Sequence, residues 1–331
     1  MPKEPAFTQI KYEVVKGRVA VISLNRPSVA NAVSRRMTRE IDRALKAAEL
    51  DDGVRCIFLR GEGRNFSSGH DLGSDLQLAD KTFPQEIDPR PRGDYAKWYN
   101  LDVDMALRWR RIRKPIVCGI KGYTIYHGTV LAACADIVIA ADDLRYMPSL
   151  VEANLFPWVA GLDAMAIKHL LFSQRFATAE EAVRLGVALR SVPASELDTE
   201  CLRLCRLIAR GDSFHLWMMK KVCLPSPLLF SPLLSFRVLS CSLSSLLSLL
   251  SSHGSTQMVN AAQDVAGMEA HVRSSLDTWT AFRRDWSETT RAKTKDHGGT
   301  SKTLAPVKAA LTGDAWRETE IMSKLSKLSK L

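Results

Sequence analysis

The run Ile116–Ala141, IVCGIKGYTIYHGTVLAACADIVIAA, constrains the fold more than any other part of this chain. Its ends, IVCGI and ACADIVIA, have the apolar density of a protein core, whereas the Tyr-His-Gly segment between them suits neither a strand nor the centre of a helix. Buried backbone must satisfy its polar groups, so an irregular turn inside a core is expected to hold N–H groups in a fixed direction beside a cavity. The turn is therefore the first candidate for a functional site.

Strand and helix patterns alternate before this run. Arg18–Pro27 is a β-rich run ending in turn residues, Val33–Leu50 has helical spacing, Val54–Gly63 is a strand followed by a Gly-rich turn, and the polar stretch Gln77–Asp94 precedes a helix that ends near Arg113. Ile116–Ala141 itself is typical of a strand, a turn, a helix and a second strand. This alternation predicts an α/β core, and the helical pattern after about Ser195 predicts a C-terminal helical layer.

Composition restricts the class of protein and its partners. The chain has 331 residues, of which 46% are hydrophobic and 25% charged, as in a globular protein with one large core or one core and a smaller domain. A net charge of +10 would suit an anionic partner, either a nucleic acid or a phosphate-bearing small molecule. Lys and Arg are spread along the chain without an aromatic-plus-basic module, which disfavours nucleic acid.

The seven cysteines indicate a reducing compartment, because their number is odd and several lie in apolar runs. Cys201 and Cys205 lack a second pair at metal-ligand spacing, so they are interpreted as one face of a helix and no metal is expected.

The two ends of the chain bear on localisation. The first residues, MPKEPAFTQIKYEV, show neither a secretory signal nor a mitochondrial presequence. The last three, Ser329-Lys330-Leu331, match the address read by the peroxisomal import receptor, which predicts peroxisomal localisation with that receptor as a partner.

The segment Val222–Gln257 is a low-complexity stretch of mostly Ser, Leu, Pro and Phe. Its apolar core is shorter than the roughly 20 residues of a spanning helix, so no membrane span is expected. These residue types share pyrimidine-rich codons. The first residue, Val, is encoded by GTN, and the last, Gln, can be encoded by CAG, so the coding sequence could run from GT to AG. The segment therefore resembles a translated intron. Its removal would join FHLWMMKK to MVNAAQDVAGMEAHV in one helical pattern.

Four stretches carry a family resemblance in order and spacing: VAVISLNRPSVANAV, CIFLRGEGRNFSSGHDL, RKPIVCGIKGYTIYHGTVLAACADIVIAADDLRY and ATAEEAVRLGVALRSVP. Over roughly residues 8–285 the chain resembles the enoyl-CoA hydratase/isomerase (crotonase) superfamily, with a layout similar to the hydratase and dienoyl-CoA isomerase-like members. The resemblance implies a spiral of ββα units over residues 8–194, with the acyl-CoA site, and a helical oligomerisation region over 195–290. Residues 291–331 would form a basic tail, and homotrimers or hexamers are expected.

The resemblance also implies a site. Two backbone N–H groups, from His70 and His127, would hold the oxygen of an acyl-CoA thioester, where charge develops during reaction. His70, Asp71, Leu72 and Gly73 would line the CoA path, with Arg26 near the nucleotide. Coenzyme A would enter as part of the substrate, so no separate cofactor is expected.

Departures from the family pattern leave the acid–base residue open. The usual Gly-Gly-Gly is Tyr126-His127-Gly128 here, the two hydratase glutamates are replaced by Val130 and Leu150, and the aspartate of dienoyl isomerases is replaced by Trp158. His127 and Glu152 are the acid–base candidates, because imidazole titrates near neutrality and an apolar setting could raise a carboxyl pKa. His70, Asp102 and Asp104 are further possibilities, although the two aspartates also fit a solvated helix face. Asp136 is expected to be structural.

Three functions follow. The first is an enzyme that hydrates or isomerises an enoyl-CoA in peroxisomal β-oxidation or a related pathway. The second is different CoA chemistry on the same fold, a carbon–carbon bond hydrolase or a thioesterase, which the missing glutamates favour. The third is a non-enzymatic RNA- or partner-binding protein.

Overall fold

The computed structural model of the chain describes residues 6–71, 73–79, 96–148 and 164–221. The strands are β1 (Ile10–Val15), β2 (Val19–Leu24), β3 (Cys56–Gly61), β4 (Ile116–Ile120), β5 (Tyr123–Ile125), β6 (Ile137–Ala141), β7 (Arg145–Met147) and β8 (Arg190–Val192). The α-helices are α1 (Arg35–Leu50), α2 (Asp75–Ala79), α3 (Met105–Arg110), α4 (His127–Ala133), α5 (Ala164–Ser173), α6 (Ala179–Arg184), α7 (Leu197–Ile208) and α8 (Ser213–Lys221).

The strands form two sheets. The larger has the order β1-β2-β3-β4-β6-β8, in which β1 is antiparallel to β2 and the other neighbours are parallel. The smaller is the parallel pair β5 and β7. Helices follow the parallel strands and cover both faces of the larger sheet, as buried parallel sheets require. The predicted α/β class is confirmed.

Alternation along the parallel strands divides the interior into two clusters. In β2, Ala20, Ile22 and Leu24 pack on the side of α1, whereas Val19 and Val21 pack on the side of α7. The same period of two places Ile57 and Leu59 of β3 in the first cluster and Cys56 and Phe58 in the second. This alternation explains why the strands are apolar throughout, with helices on both faces.

Helix α7 places Cys201 and Cys205 in the second cluster, one turn apart and fully buried as free thiols. The interpretation of this pair as one helix face is confirmed. Burial raises the pKa of the Cys201 thiol to about 12, which keeps it protonated and inert.

Helix α1 begins two residues after the predicted Val33, ends at the predicted Leu50 and carries one wall of the site. The Ser34 hydroxyl caps it by accepting a hydrogen bond from the Met37 N–H at 3.1 Å. Its apolar face is buried through Met37, Ile41, Ala44, Leu45 and Ala48, a spacing that presents one stripe to the sheet. Burial of each large side chain contributes roughly 1.5–3 kcal/mol, so the N-terminus of α1 is held firmly against the larger sheet.

A buried ion pair fixes α8 to the core. Lys220 Nζ lies 2.7 Å from Asp136 Oδ2, with side chains 2% and 9% exposed, and Asp136 Oδ2 also accepts the Ile116 N–H at 2.8 Å. The expectation that Asp136 is structural agrees with this arrangement.

Several predictions fall outside the described residues. These include the segment Val222–Gln257, the rest of the helical region after 221, and the basic tail, so the domain boundaries stay predictions. Within the described ranges, none of the helices combines the length and apolar character that a membrane crossing needs.

Candidate active site

The loop after β3 is fixed by hydrogen bonds on both sides of His70. The Val33 N–H donates to Gly69 O at 2.8 Å, and the Asp71 N–H donates to Val33 O at 2.9 Å. Three residues before His70, Ser67 pairs with β5, since its N–H donates to Tyr123 O and its carbonyl accepts the Ile125 N–H, both at 3.0 Å. The peptide of His70 is therefore positioned between the start of α1 and the end of β5.

Two glycines allow this loop to approach the Tyr126-His127-Gly128 turn. Gly69 has a φ of +94°, and a Cβ there would lie 3.0 Å from Ile125 O and 3.7 Å from the His127 nitrogen. Gly128 has no unusual φ, yet a Cβ would lie 2.8 Å from Ser67 O. A side chain fits at neither position, so glycine is what brings the backbone of His70 next to that of His127.

Tyr126 carries strain at the turn. Its φ of 46° and ψ of −111° are a conformation that residues with a Cβ rarely adopt, at a cost of roughly 1–3 kcal/mol. Its N–H donates to Met147 O at 3.0 Å, and its carbonyl accepts from the Thr129 N–H at 2.8 Å and the Val130 N–H at 3.2 Å. These bonds begin α4, so the N–H groups of His127 and Gly128 precede the first intrahelical bond. The prediction of an irregular, held turn inside the core is confirmed.

A cluster of two imidazoles and one carboxylate lies beside this turn. His70 Nε2 and His127 Nδ1 are each 3.4 Å from Asp102 Oδ1. The two rings are stacked, with centroids 4.1 Å apart and planes inclined by 23°, and the Trp98 ring meets His70 edge-on at 4.8 Å. Three segments that are distant in sequence thus meet at one carboxylate oxygen.

Burial determines the charge of the His127 imidazole. The His127 side chain is 1% exposed, and neither ring nitrogen makes a hydrogen bond with the described residues. Burial, and then the neighbouring His70, hold the pKa of His127 well below its ordinary value. His127 is therefore neutral at physiological pH.

Asp102 is the residue that sequence reasoning placed wrongly when it offered a solvated helix face. It lies in a π-helical turn, Tyr99–Asp104, that runs into α3, and its side chain is 4% exposed. The burial of Asp102 could have been predicted from its spacing to apolar residues of the same helix. Asp102 precedes Met105 by three residues and Trp109 by seven, which places a carboxylate on the apolar face of that helix. Turns of this type are frequent at functional sites.

A cavity of about 250 Å³ opens above the cluster. Its walls come from the start of α1, the loop around Asp71, the middle of α2 and the segment that precedes α3. They include Val33, Arg35, Thr38, His70, Asp71, Gly73, Gln77, Lys97, Trp98, Leu101 and Asp102. His70 and Asp102 thus face the cavity, with Arg35 and Lys97 as cations on its walls.

Arg26 and Asp71, both predicted along the CoA path, pair with each other. The Arg26 guanidinium donates to Asp71 Oδ2 at 2.8 Å and to Ala32 O at 2.6 Å, and both side chains are buried. Burial alone would raise the pKa of Asp71, but hydrogen bonds from Ser74 and the Arg26 ion pair hold it below its ordinary value. This pair clamps the loop that carries His70.

The remaining predicted positions divide into two groups. Val130 lies in the first turns of α4, 1% exposed and without a titratable group. Leu72, Leu150, Glu152 and Trp158 lie outside the described residues, so the roles of Glu152 and Leu72 stay predictions.

His70, Asp102 and His127 also offer donor atoms within 4.8 Å of one another, the kind of group that can hold a metal ion. Their stacking argues against shared ligation. Two imidazoles at 2.0–2.1 Å from one ion, at an angle of 90° or more, have centroids at least about 4.5 Å apart. The rings here are 4.1 Å apart and nearly parallel. The cluster therefore fits direct contact between its side chains better than a shared ion.

Comparisons with known proteins identify relatives of the whole core. A family model described as Enoyl-CoA hydratase/isomerase matches residues 15–224. One relative is EchA13 of Mycobacterium tuberculosis, which is named a putative enoyl-CoA hydratase. It is 31% identical to this chain over 239 residues, which cover 66% of this chain and 74% of EchA13. The 1,2-epoxyphenylacetyl-CoA isomerase of Escherichia coli is 30% identical over 217 residues, 63% of this chain and 79% of that protein.

A solved structure shows the same architecture. The crystal structure of a probable enoyl-CoA hydratase from Mycobacterium thermoresistibile superposes with a TM-score of 0.64 at 27% identity, covering 85% of this chain and 99% of the other. Sequence motifs, fold and relatives therefore agree.

Proposed function

Since the chain belongs to the enoyl-CoA hydratase/isomerase family, we propose that it acts on an acyl-CoA thioester, moving a double bond in an enoyl-CoA or adding water to one. The observation that carries the proposal is the meeting of the Gly69–Asp71 loop with the Tyr126–Gly128 turn. It supports a pair of backbone donors, the His70 and His127 N–H groups, for the thioester oxygen.

The chemistry explains why such donors matter. Removing a proton next to a thioester carbonyl, or adding water to its conjugated double bond, moves negative charge onto the thioester oxygen. Fixed donors in a site with little water stabilise that charge, and losing one oxyanion-hole donor typically costs about 10²–10³ in kcat. The strain at Tyr126 is consistent with a turn held in place for function.

An acid–base group is also required, and the glutamate position at Val130 is apolar. His127 and Glu152 are the acid–base candidates from the sequence. Among the described residues, the cluster of His70, Asp102 and His127 supplies titratable groups beside the donors.

Substrate binding is proposed along the cavity. His70, Asp71 and Gly73 line it, as the resemblance implies, and Leu72 follows in sequence. Arg35 and Lys97 add positive charge that suits the CoA phosphates. Because the Arg26 guanidinium is engaged with Asp71, its part in CoA binding would be to hold the loop rather than to contact the nucleotide.

Assembly and localisation complete the proposal. Exposed apolar side chains on α5, Met165 at 81% and Phe172 at 79%, and Phe214 on α8 would suit contacts in a homotrimer or hexamer. Peroxisomal localisation through Ser329-Lys330-Leu331 is proposed on the tripeptide alone.

The proposal is tested by incubating the protein, as the full chain and without residues 222–257, with 2-enoyl-, 3-enoyl- and 3,5-dienoyl-CoA. Products are followed by mass and by the absorbance of the conjugated thioester. Hydration adds the mass of water, whereas isomerisation leaves the mass unchanged. Release of free CoA thiol from these substrates would instead support the thioesterase alternative, and no change in any substrate would refute the proposal.

A further inference from the structure

We propose that the imidazole of His70 exchanges protons with the acyl chain. Asp102 is its positioning residue, and the His127 ring supports the His70 ring by stacking on it. This inference rests on the proposed function and assigns the acid–base role to a residue whose family counterpart was expected to contribute only its backbone N–H.

Accessibility distinguishes the two histidines. The His70 side chain is 13% exposed and lines the cavity, whereas the His127 side chain is 1% exposed and does not. A general acid or base must come within hydrogen-bond reach of the proton it transfers. Of the two stacked imidazoles, His70 is the one that meets this requirement without a rearrangement of the turn.

Proximity to the thioester oxygen supports the same residue. The His70 N–H is a proposed donor to that oxygen, and the acyl α-carbon is two bonds away from it. A side chain on the residue that binds the oxygen is therefore near the carbon whose proton is lost. Gly69 and the bonds from Val33 and Asp71 fix the backbone that carries this side chain.

Asp102 acts on His70 through charge and orientation. Its Oδ1 lies 3.4 Å from His70 Nε2, within reach to stabilise an imidazolium and to turn the ring. The same oxygen is 3.4 Å from His127 Nδ1, but His127 is kept neutral by its burial. His70 is the imidazole of the pair that reaches the cavity, so it is the one placed to take up the proton of the substrate. Asp71 and the cations Arg35 and Lys97 are the other charged groups on the cavity wall.

The reaction that such a site performs most directly is a proton shift. An imidazole nitrogen of His70 takes a proton from the α-carbon of a 3-enoyl-CoA, and the C–H electron pair moves into a dienolate with its charge on the thioester oxygen. The imidazolium returns the proton to the γ-carbon, giving a 2-enoyl-CoA. One base serves both steps and no other reactant is consumed. The inference therefore favours isomerisation over hydration by two carboxylates.

His70→Ala tests the assignment because it removes the imidazole and keeps the backbone N–H. We expect kcat for 3-enoyl-CoA to fall by about two to four orders of magnitude with KM little changed. Imidazole added to the solution should restore part of the activity, a response that a purely structural role would not give. The matched variant His127→Ala should lose less activity than His70→Ala and show no rescue.

Asp102→Asn tests the positioning role. We expect a lower kcat at unchanged KM, and a kcat–pH profile whose acidic limb moves to lower pH, since the removed carboxylate no longer favours the imidazolium. Asp52→Asn, in the exposed turn after α1 and away from the cavity, is the matched control and should leave both quantities unchanged. The exchange of acyl α-hydrogens with deuterated water follows the proton transfer itself and should fall in parallel with kcat.

Three results would overturn the inference: wild-type kcat in His70→Ala, imidazole rescue in His127→Ala but not in His70→Ala, or activity lost to a chelator and restored by Zn²⁺. Failure of the proposed function gives a different pattern, in which the wild-type protein neither converts any enoyl-CoA nor exchanges α-hydrogens.

Discussion

Replacing Gly128 with alanine isolates the close approach that forms the site. Gly128 has a φ that alanine tolerates, so the effect comes only from the added methyl group, which would lie 2.8 Å from the backbone oxygen of Ser67. Ordinary contact needs about 3.4 Å, so the two segments must separate by about 0.6 Å. The methyl meets backbone rather than a flexible side chain, so this separation displaces the His127 N–H or the loop that carries His70.

The expected cost follows from that displacement. A misplacement of about 1 Å at a catalytic group can cost 10²-fold in rate, so Gly128→Ala should lower kcat by roughly one to two orders of magnitude. Overpacking should also destabilise the protein by about 1–3 kcal/mol, a fall in Tm of roughly 2–12 °C. The assay is steady-state kinetics on the best enoyl-CoA substrate, with Tm from calorimetry.

Gly53→Ala is the matched control. Gly53 also lacks a left-handed φ, but it lies in an exposed turn, and a Cβ there would meet only the Asp51 side chain at 3.0 Å. Its kcat should equal that of the wild type. Wild-type kcat in correctly folded Gly128→Ala would show that the approach of these two segments is not what positions the site.

Three further predictions concern the fold, the address and the low-complexity segment. Lys220→Met leaves Asp136 buried without its cation and should destabilise the protein by about 3–5 kcal/mol in urea unfolding, whereas adding Asp136→Ala should recover part of the loss; an unchanged midpoint would contradict the role of this pair. A fluorescent fusion lacking all nine residues from Ser323 to Leu331 should be cytosolic, since shorter deletions create a new Ser-Lys-Leu terminus, and punctate fluorescence after this deletion would rule out the address. Messenger RNA should lack the codons for Val222–Gln257, and a dominant transcript that retains them would refute the intron interpretation.

Much of the fold was predictable because it depends on local periodicity. The strand patterns in Arg18–Pro27 and Val54–Gly63 became β2 and β3, and Val33–Leu50 became α1, with the start set by the Ser34 cap. The run Ile116–Ala141 gave β4, the turn, α4 and β6 as predicted. The short pair of β5 and β7 was not predicted, since three-residue strands leave too short a pattern to detect.

The site was predictable only in part because it depends on contacts between distant segments. The Tyr-His-Gly turn is visible as an interruption of an apolar run. The meeting of His70, Asp102 and His127 is not visible in any spacing, because the three residues come from a loop, a π-helical turn and a helix start. The resemblance placed Arg26 near the nucleotide, and no spacing shows that its guanidinium pairs with Asp71 within the fold. Its part in CoA binding stays a prediction.

The carbonyl stretch of a bound thioester reports whether the His127 N–H holds the thioester oxygen. A saturated acyl-CoA labelled with ¹³C at the carbonyl binds without turnover, and isotope-edited infrared spectra report its polarisation. We predict a lower frequency than in solution for the wild type and for His127→Ala, which keeps the N–H, and a smaller shift for His127→Pro, which removes it. Circular dichroism and oligomer size must be unchanged in the variants. A bound frequency equal to that in solution, or one that His127→Pro leaves at the wild-type value, would show that the His127 N–H does not hold the thioester oxygen.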